Sequence, residues 1–516
     1  MKLRSTLGER QLLPGGPAQR STLVAMILCS GIVFLQSTVI NVALPALGRD
    51  LDTGLSGLQW VVDGYSLTLA ALLILGGSLG DRFGRRRVMT IGLSGFGATS
   101  VACGLAPTTS WLVGARVLQG VAGALLVPGS LAMIRAVYTE RASRGEAIGQ
   151  WAGWSGIVTV IGPPMAGWLV DNLSWRWVFF LVVPLVSVTI WLMVTRVPET
   201  RSERPPERLD WPGAALATVG LGGIIYGLIE GPVVGWTTPG VLAGLMGGAI
   251  SLGVFPVVEY RRRYPMLPLE LFTSRNFTGA NLTTLGVYFA LQGATFFVVL
   301  YLQNVMGYSA LAAGFVLAPI TLLLLLLSPV FGRFSGRHGA RLPMTVGPLV
   351  SAGGLILLSR LHPGASFFSD VLPAVGVLGL GLSATVAPLT DTVMSAVSDE
   401  HSGIAAAFNN AVSRVAGLLA VAGLGVVVTL SAARVLAARS EERSLGPVAM
   451  QAIEEAAEDP AGNFDLEGLP EEAWEVVTTS YSVAFARAMW VSAALSGAGG
   501  LVSYALIRDE RQEGDG

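Results

Sequence analysis

Apolar residues in this chain neither alternate strand-like nor form one-sided helical stripes; they run in blocks. Val24 to Leu35, Leu67 to Leu79, Val178 to Val194 and Phe315 to Val330 are each nearly free of charge. A bilayer-spanning helix needs roughly 20 such residues. Polar breaks divide the chain into about fourteen blocks of this kind, near 22–44, 59–80, 88–106, 110–136, 146–170, 176–196, 211–230, 239–258, 277–303, 309–332, 342–361, 369–395, 402–431 and 482–507. The third and eighth are Gly-rich and the least distinct. The pattern predicts an all-α polytopic membrane protein.

Composition agrees: 52% of the 516 residues are hydrophobic and 13% charged, against about 25% charged in soluble domains. The net charge of −1 says little, but its distribution says more. Arg4, Arg10 and Arg20, Arg82 and Arg85 to Arg87, Arg141 and Arg144, Arg201, Arg204 and Arg208, Arg261 to Arg263, and Arg333, Arg337 and Arg341 fall in one set of loops. The alternate loops around Pro107, Pro232 and Gly307 carry no charge, and those around Arg49 and Arg360 little. By the positive-inside rule, the arginine-bearing side and both termini are expected in the cytoplasm of a cell with this protein in its cell membrane. Segment 433–480, with Glu441, Glu442, Glu454, Glu455, Glu458, Asp459, Glu471 and Glu472, is expected as an acidic, solvated outer loop with short helices. Lys2 is the sole lysine, and Ala and Gly abound, as in a GC-rich bacterial genome. Cys29 and Cys103 lie inside apolar blocks and are read as small core residues, not disulfide or metal ligands. The first block is long, contains polar residues and precedes many more, so it is read as an uncleaved span rather than a secretory signal.

The chain repeats itself. Gly77-Ser-Leu-Gly-Asp-Arg-Phe-Gly-Arg-Arg86 follows the second block, and Gly332-Arg-Phe-Ser-Gly-Arg-His-Gly-Ala-Arg341 follows the tenth. Without gaps, Gly77, Arg82, Gly84 and Arg86 match Gly332, Arg337, Gly339 and Arg341, half a chain apart. Two equivalent six-span halves account for this if the seventh and eighth spans are inserted. The expected division is a tail at 1–21, a first bundle at 22–198, the inserted pair with linkers at 199–276, a second bundle at 277–507 and a tail at 508–516. In transporters built from repeats the substrate site lies near the midplane between halves.

These motifs resemble those of the major facilitator superfamily. Gly77 to Arg86 is similar to its motif A, Leu112-Val-Gly-Ala-Arg116-Val-Leu-Gln119-Gly120 to motif B, and Gly162-Pro163-Pro164-Met-Ala-Gly167 to motif C, which marks antiporters. Thr38-Val-Ile-Asn41-Val-Ala-Leu-Pro45, Trp175-Arg-Trp-Val-Phe, Asp210-Trp-Pro-Gly213 and Pro265-Met-Leu-Pro-Leu-Glu-Leu-Phe272 look like the fourteen-span drug:proton antiporter family. The resemblance covers nearly the whole chain. It implies the major facilitator fold, alternating access, and a partnership with protons and a small amphipathic substrate. The chain departs from the family pattern at Gln36, where L-D-x-T would place an acid, at Ala166 in motif C and at Val182 after Trp175-Arg-Trp. The missing acid removes the usual proton carrier.

The motifs also have physical readings of their own. Small residues let helices approach closely and Pro bends them, so Gly162, Pro163 and Gly167 suit a fifth span that closes against the other half. Asp81, with Gly77, Arg82, Gly84 and Arg86 around it, is expected to face the positive N-terminus of a helix in the opposite half, the resemblance implying the thirteenth span, as a latch that holds the cytoplasmic side shut in one state. Arg116 lies inside the fourth span, where ionisable residues face cavities and carry function. It needs a countercharge, and Asp63 in the second span is the nearest by depth. Counted from the ends of their blocks, Asp63 lies about 6 Å and Gln36 about 12 Å deep. Burial favours the neutral form of a carboxylic acid and a nearby arginine the charged form, so motion between the two would alter proton affinity. Arg414 and Asp391 are further charges in or near spans, and Glu230 is read as solvated at the outer rim. Gln36, Asn41, Tyr65, Tyr288, Gln292, Phe296, Asn409 and Asn410 are candidates to line an uncharged cavity for bulky amphipathic molecules.

Other chemistry is not written here. There is no G-x-x-x-x-G-K-[ST] loop for ATP, and His338, His362 and His401 are not spaced as metal ligands. No catalytic constellation, cofactor site or nucleic-acid surface is evident. The reading is a monomeric, non-enzymatic secondary exporter of drugs or amphipathic small molecules, the alternative being a dedicated exporter of one endogenous metabolite such as an antibiotic or a lipid.

Overall fold

The computed structural model describes residues 16–202, 209–262, 267–398, 402–442, 447–458 and 470–509. Arg4, Arg10, Arg204, Arg208, Arg263, Pro265, His401 and Asp459, on which parts of the sequence reading rest, lie outside them. The described residues are helical, with no strand among them. In chain order the helices are α1 (Pro17–Leu51), α2 (Leu55–Phe83), α3 (Arg85–Gly104), α4 (Thr109–Ala124), α5 (Val127–Val137), α6 (Arg141–Asn172), α7 (Trp177–Phe180), α8 (Val182–Thr195), α9 (Trp211–Val234), α10 (Pro239–Arg261), α11 (Arg275–Asn304), α12 (Ala310–His338), α13 (Arg341–Leu358), α14 (Leu372–Ser395), α15 (Ser402–Glu442), α16 (Pro447–Glu458) and α17 (Glu471–Leu506). A 3₁₀ turn at Leu269–Thr273 precedes α11, and a π turn at Phe367–Val371 opens α14.

Among the described residues, twelve helices or collinear helix pairs are long and apolar enough to cross a membrane. Two more long helices, α3 and α6, fall short. Helix α3 opens on three arginines and carries Thr90, Ser94, Thr99 and Ser100, whose hydroxyls bond back to carbonyls of their own helix. Helix α6 opens on Arg141-Ala-Ser-Arg-Gly-Glu. Both nevertheless pack inside the assembly, α3 between α4 and α8, and α6 between α1 and α12. The eighth block, expected to be weak, is among the twelve.

Local chemistry explains the breaks. The fourth span divides at Leu125 and Leu126, whose N–H groups turn back to Ala122 and Gly123, because Pro128 has no N–H to offer Ala124. Gly76 on α2 fits against the freed Ala124 carbonyl. Pro184 lies just beyond the break between α7 and α8.

Helices α1 to α8 pack on one another, and α11 to α15 with α17 form a second group. Helices α9 and α10 pack chiefly on each other, with α9 also touching α2 and α15. The helix ends that carry Arg82, Arg85 to Arg87, Arg261, Arg337 and Arg341 lie on one face, the arginine-rich face. On the other face the described residues of the expected loop at 433–480 are largely helical. Helix α15 continues to Glu442, and Leu436 is buried with Ala449, Ile453 and Ala456 of α16 and with Ala473 and Val476 of α17. Spacings of three and four residues in α16 supply that apolar stripe.

Candidate functional site

Helix α4 starts at Thr108, whose hydroxyl accepts from the Trp111 N–H. Its turns place Arg116 and Gln119 on one face toward α2 and α3. Gly120 packs against Thr68 and the Tyr65 carbonyl, and that close approach sets Tyr65 beneath Arg116. The guanidinium lies 4.2 Å from the Tyr65 ring centroid. Its Nε donates to the Val61 carbonyl at 2.9 Å and its Nη1 to Gln119 Oε1 at 2.7 Å. Gln119 donates onward to Ser100 at 2.8 Å. The arginine is fully buried.

Asp63 lies two turns into α2, about 12 Å from its end, twice the depth expected because the helix begins at Leu55. It is 1% exposed, and neither carboxylate oxygen has a partner. Asp63 does not pair directly with Arg116: no ion pair of either arginine, 116 or 414, occurs among the described residues. A carbonyl, an amide and an aromatic face compensate Arg116 instead. What Asp63 and Arg116 share is a cavity of about 50 Å³, with Ser37, Asn41 and Ser66 from the first half and Gln292, Phe296, Arg414 and Gly417 from the second. Asn41 Oδ1 is also unpartnered. One turn from Asp63, Gln59 donates across the seam to the Val421 carbonyl, which pins α2 to α15 beside the cavity.

The structure thus brings together Asp63, Arg116, Arg414, Asn41, Gln292 and Phe296. Others fall elsewhere. Gln36 is fully buried with both amide atoms unpartnered and does not line the cavity. Tyr65 is the support of Arg116 rather than a lining residue. Tyr288 is half-buried outside the lining. Asn409 donates to Asn281 and Thr284 on α11, and Asn410 is exposed. Asp391 is not a buried charge: it is exposed near the arginine-rich end of α14, beside Arg337 and Asp509. Glu230 is not merely solvated, since it accepts from the Trp60 indole at 2.8 Å and so ties α9 to α2.

The repeated loops are built alike. Gly84 and Gly339 have φ of +105° and +92°, conformations suited to glycine. After each, a carboxylate from the end of the same half caps the next helix: Glu199 accepts from the N–H groups of Arg86 and Arg87, and Asp509 from that of Arg341. Arg82 stacks near Phe83, and Gly77 lies against Pro128. Among the described residues, Asp81 is bound to Arg85 of its own loop, Nη2 to Oδ1 2.7 Å.

The halves meet toward the opposite face. Gly167 lies against the Ala310 and Leu311 backbone, and Gly314 against the Pro163 carbonyl. Gly162 packs on Leu35 and Val39 of α1. One turn on, the Asp171 carboxylate accepts from the N–H groups of Ala310 and Leu311 at 3.0 and 2.9 Å, capping α12 across the seam. Gln303 donates to the Val42 carbonyl nearby. Toward the arginine-rich face, Gly145, Gly149 and Gly153 of α6 would meet nothing within 4 Å if given a Cβ. The seam is closely packed on one face; on the other, α6 presents open glycine positions, and Arg135 of α5 lies near Gly403 of α15.

The sequence model of the Major Facilitator Superfamily matches residues 26–421. The chain belongs to this superfamily. Relatives of this transporter include the multidrug resistance protein Stp of Mycobacterium tuberculosis (strain CDC 1551 / Oshkosh), 34% identical over 443 residues, which cover 86% of this chain and 82% of that protein. The tetracenomycin C resistance and export protein of Streptomyces glaucescens is 34% identical over 450 residues, 86% of this chain and 83% of the other. Among solved structures, a bacterial homolog of the human lysosomal transporter Spinster, inward-facing and unoccupied, matches with a TM-score of 0.67 at 17% identity, covering 95% of this chain and 97% of that one. This superfamily member is therefore a multi-span integral membrane transporter of small molecules. Sequence reasoning singled out its buried charges but missed Gln59, Asp171, Glu199 and Asp509. Their only signal was an amide or acid at a span end, and their partners lie far away in sequence.

Proposed function

We propose that this transporter belongs to the fourteen-span drug:proton antiporter branch and exports drugs or other amphipathic molecules in exchange for protons. The observation that carries the coupling is Asp63, a buried carboxyl group with both oxygens unpartnered, in one small cavity with two arginines from opposite halves. As a carboxylate it would draw Arg414 and Arg116 inward and hold the halves together at this level. A proton on it cancels that attraction and frees the seam to rearrange. The resistance and export activities named for its relatives support the substrate class.

The same reading divides the chain as 22–198, 199–276 and 277–507, places both termini and the arginine-rich face in the cytoplasm, and casts Asp81 as the latch that engages when the arginine-rich face closes. The structure then corresponds to an inward-facing state. The test is pH-gradient-driven uptake of a cationic dye into everted vesicles at matched expression. Asp63→Asn should abolish dependence on the gradient, with at least a tenfold fall in rate. Full gradient-dependent uptake by the variant would dismiss Asp63 as the carrier.

A further inference from the structure

A second cavity lies on the same seam, about 350 Å³ in volume and opposite in character. Helices α2 and α15 touch from Gln59 and Val421 to Leu67 and Leu418 and then part. Helices α9 and α10 and the start of α11 wall the space between them. Its position follows from residue counts: Ile74 is nine residues from the arginine-rich end of α2, about 13 Å, and Asn281 six from the start of α11, about 9 Å. The cavity therefore lies at the depth of the hydrocarbon on the arginine-rich side, not at the midplane. Leu282 and Phe272 at its rim are 45% and 38% exposed, so it opens sideways.

The lining decides what fits. It holds no charged residue, and Thr278 and Asn281 are its polar members. Both are already engaged: Thr278 donates to the Phe272 carbonyl, while Asn281 donates to the Phe277 carbonyl and accepts from Asn409. An occupant thus gains chiefly burial of apolar surface. Phe255, Phe272 and Phe408 give the wall aromatic faces. Helix α15 presents Ala411, Val412 and Val415 to this cavity and Arg414, Gly417 and Leu418, on its adjacent face, to the charged one. One helix borders both sites.

We propose that this lateral cavity is a binding site for an uncharged hydrocarbon or flat aromatic group, entered from the bilayer leaflet on the arginine-rich side. The group is either the apolar body of an amphipathic solute or a phospholipid acyl chain. Walls from both halves and from α9 and α10 make its volume depend on the state of the seam. It rests on the export reading only for its purpose, and its test needs no gradient. A failed transport assay and a failed binding assay are therefore distinguishable.

The full chain in nanodiscs is titrated with N-phenyl-1-naphthylamine, an uncharged aromatic fluorophore, and separately photolysed with a phospholipid bearing a diazirine on one acyl chain. Saturable binding of one naphthylamine per chain is expected, weakened at least tenfold by Ala71→Phe or Ala411→Phe. Gly253→Leu, where an added Cβ meets nothing within 4 Å, should leave it unchanged. Labelling of the unsubstituted protein should concentrate on Leu282–Leu285 and Phe408–Val415, which keeps the proposal testable if the filled variants do not fold. Loss of naphthylamine binding alone in the filled variants assigns the site to a solute, and loss of acyl labelling alone to a lipid. Naphthylamine binding indifferent to filling, with acyl labelling spread evenly over lipid-facing helices, would overturn the proposal.

Discussion

Asp63 and Gln36 pose the same question from two walls. Both are buried, both carry polar atoms with no partner, and the acid stands on α2 where the family resemblance would have placed it at Gln36 on α1. If the cycle needs one titratable group at the seam rather than one fixed position, Gln36→Asp should restore gradient-dependent uptake to an Asp63→Asn chain, to at least half the original rate. A double variant as inactive as Asp63→Asn, with Gln36→Asp active alone, would show that position matters. Residues of this kind were legible in the sequence, because a charge inside an apolar block stands out whatever it touches. Their neighbours were less so. Asp391 sits one turn from the end of such a block, where the helix end is placed correctly but the sequence does not say which face is covered. Tyr65 was visible as an aromatic, but its place under Arg116 depends on Gly120 meeting α2, a contact between helices that no local pattern records.

Elements meet through carboxylates at helix starts. A helix N-terminus concentrates free N–H groups and partial positive charge. The sequence reading expected Asp81 to use this across the seam in one state; in the structure Asp171 uses it on the opposite face, while Asp81 is bound to Arg85. We infer that the two acids act in alternate states. An exposed contact of this type contributes about 0.3–1 kcal/mol, enough to shift a balance of states up to about fivefold. Asp171→Asn should raise labelling of a cysteine placed at Ala310, buried at the same contact, and Asp81→Asn should lower it, when a membrane-impermeant maleimide is added from the opposite face. Equal labelling in both variants would dispose of the pairing. The helices themselves were legible as blocks because the bilayer imposes their length. The division of the fourth span and the long run of α15 were not, since these depend on which carbonyls find partners and on what covers Leu436.

At the scale of the whole molecule the arginine asymmetry orients everything else. With the arginine-rich face inside, a cysteine at Arg201 should react with maleimide only in everted vesicles and one at Gln451 only in intact cells. The reverse pattern would invert the protein and with it the direction of transport.

Helix α15 runs for 41 residues, about 60 Å at 1.5 Å per residue, twice the roughly 30 Å hydrocarbon core. Gln59 grips it at Val421, close to its middle. A rigid bar held at mid-length is a lever, and tipping it by about 10° would carry each end, about 30 Å from the fulcrum, some ~5 Å in opposite directions. Helix α16, seated on its far end through Leu436, would ride with it. The acidic cap is then the outward pointer of the seam, and a spectroscopic label on Gln451 would register the cycle without touching either cavity.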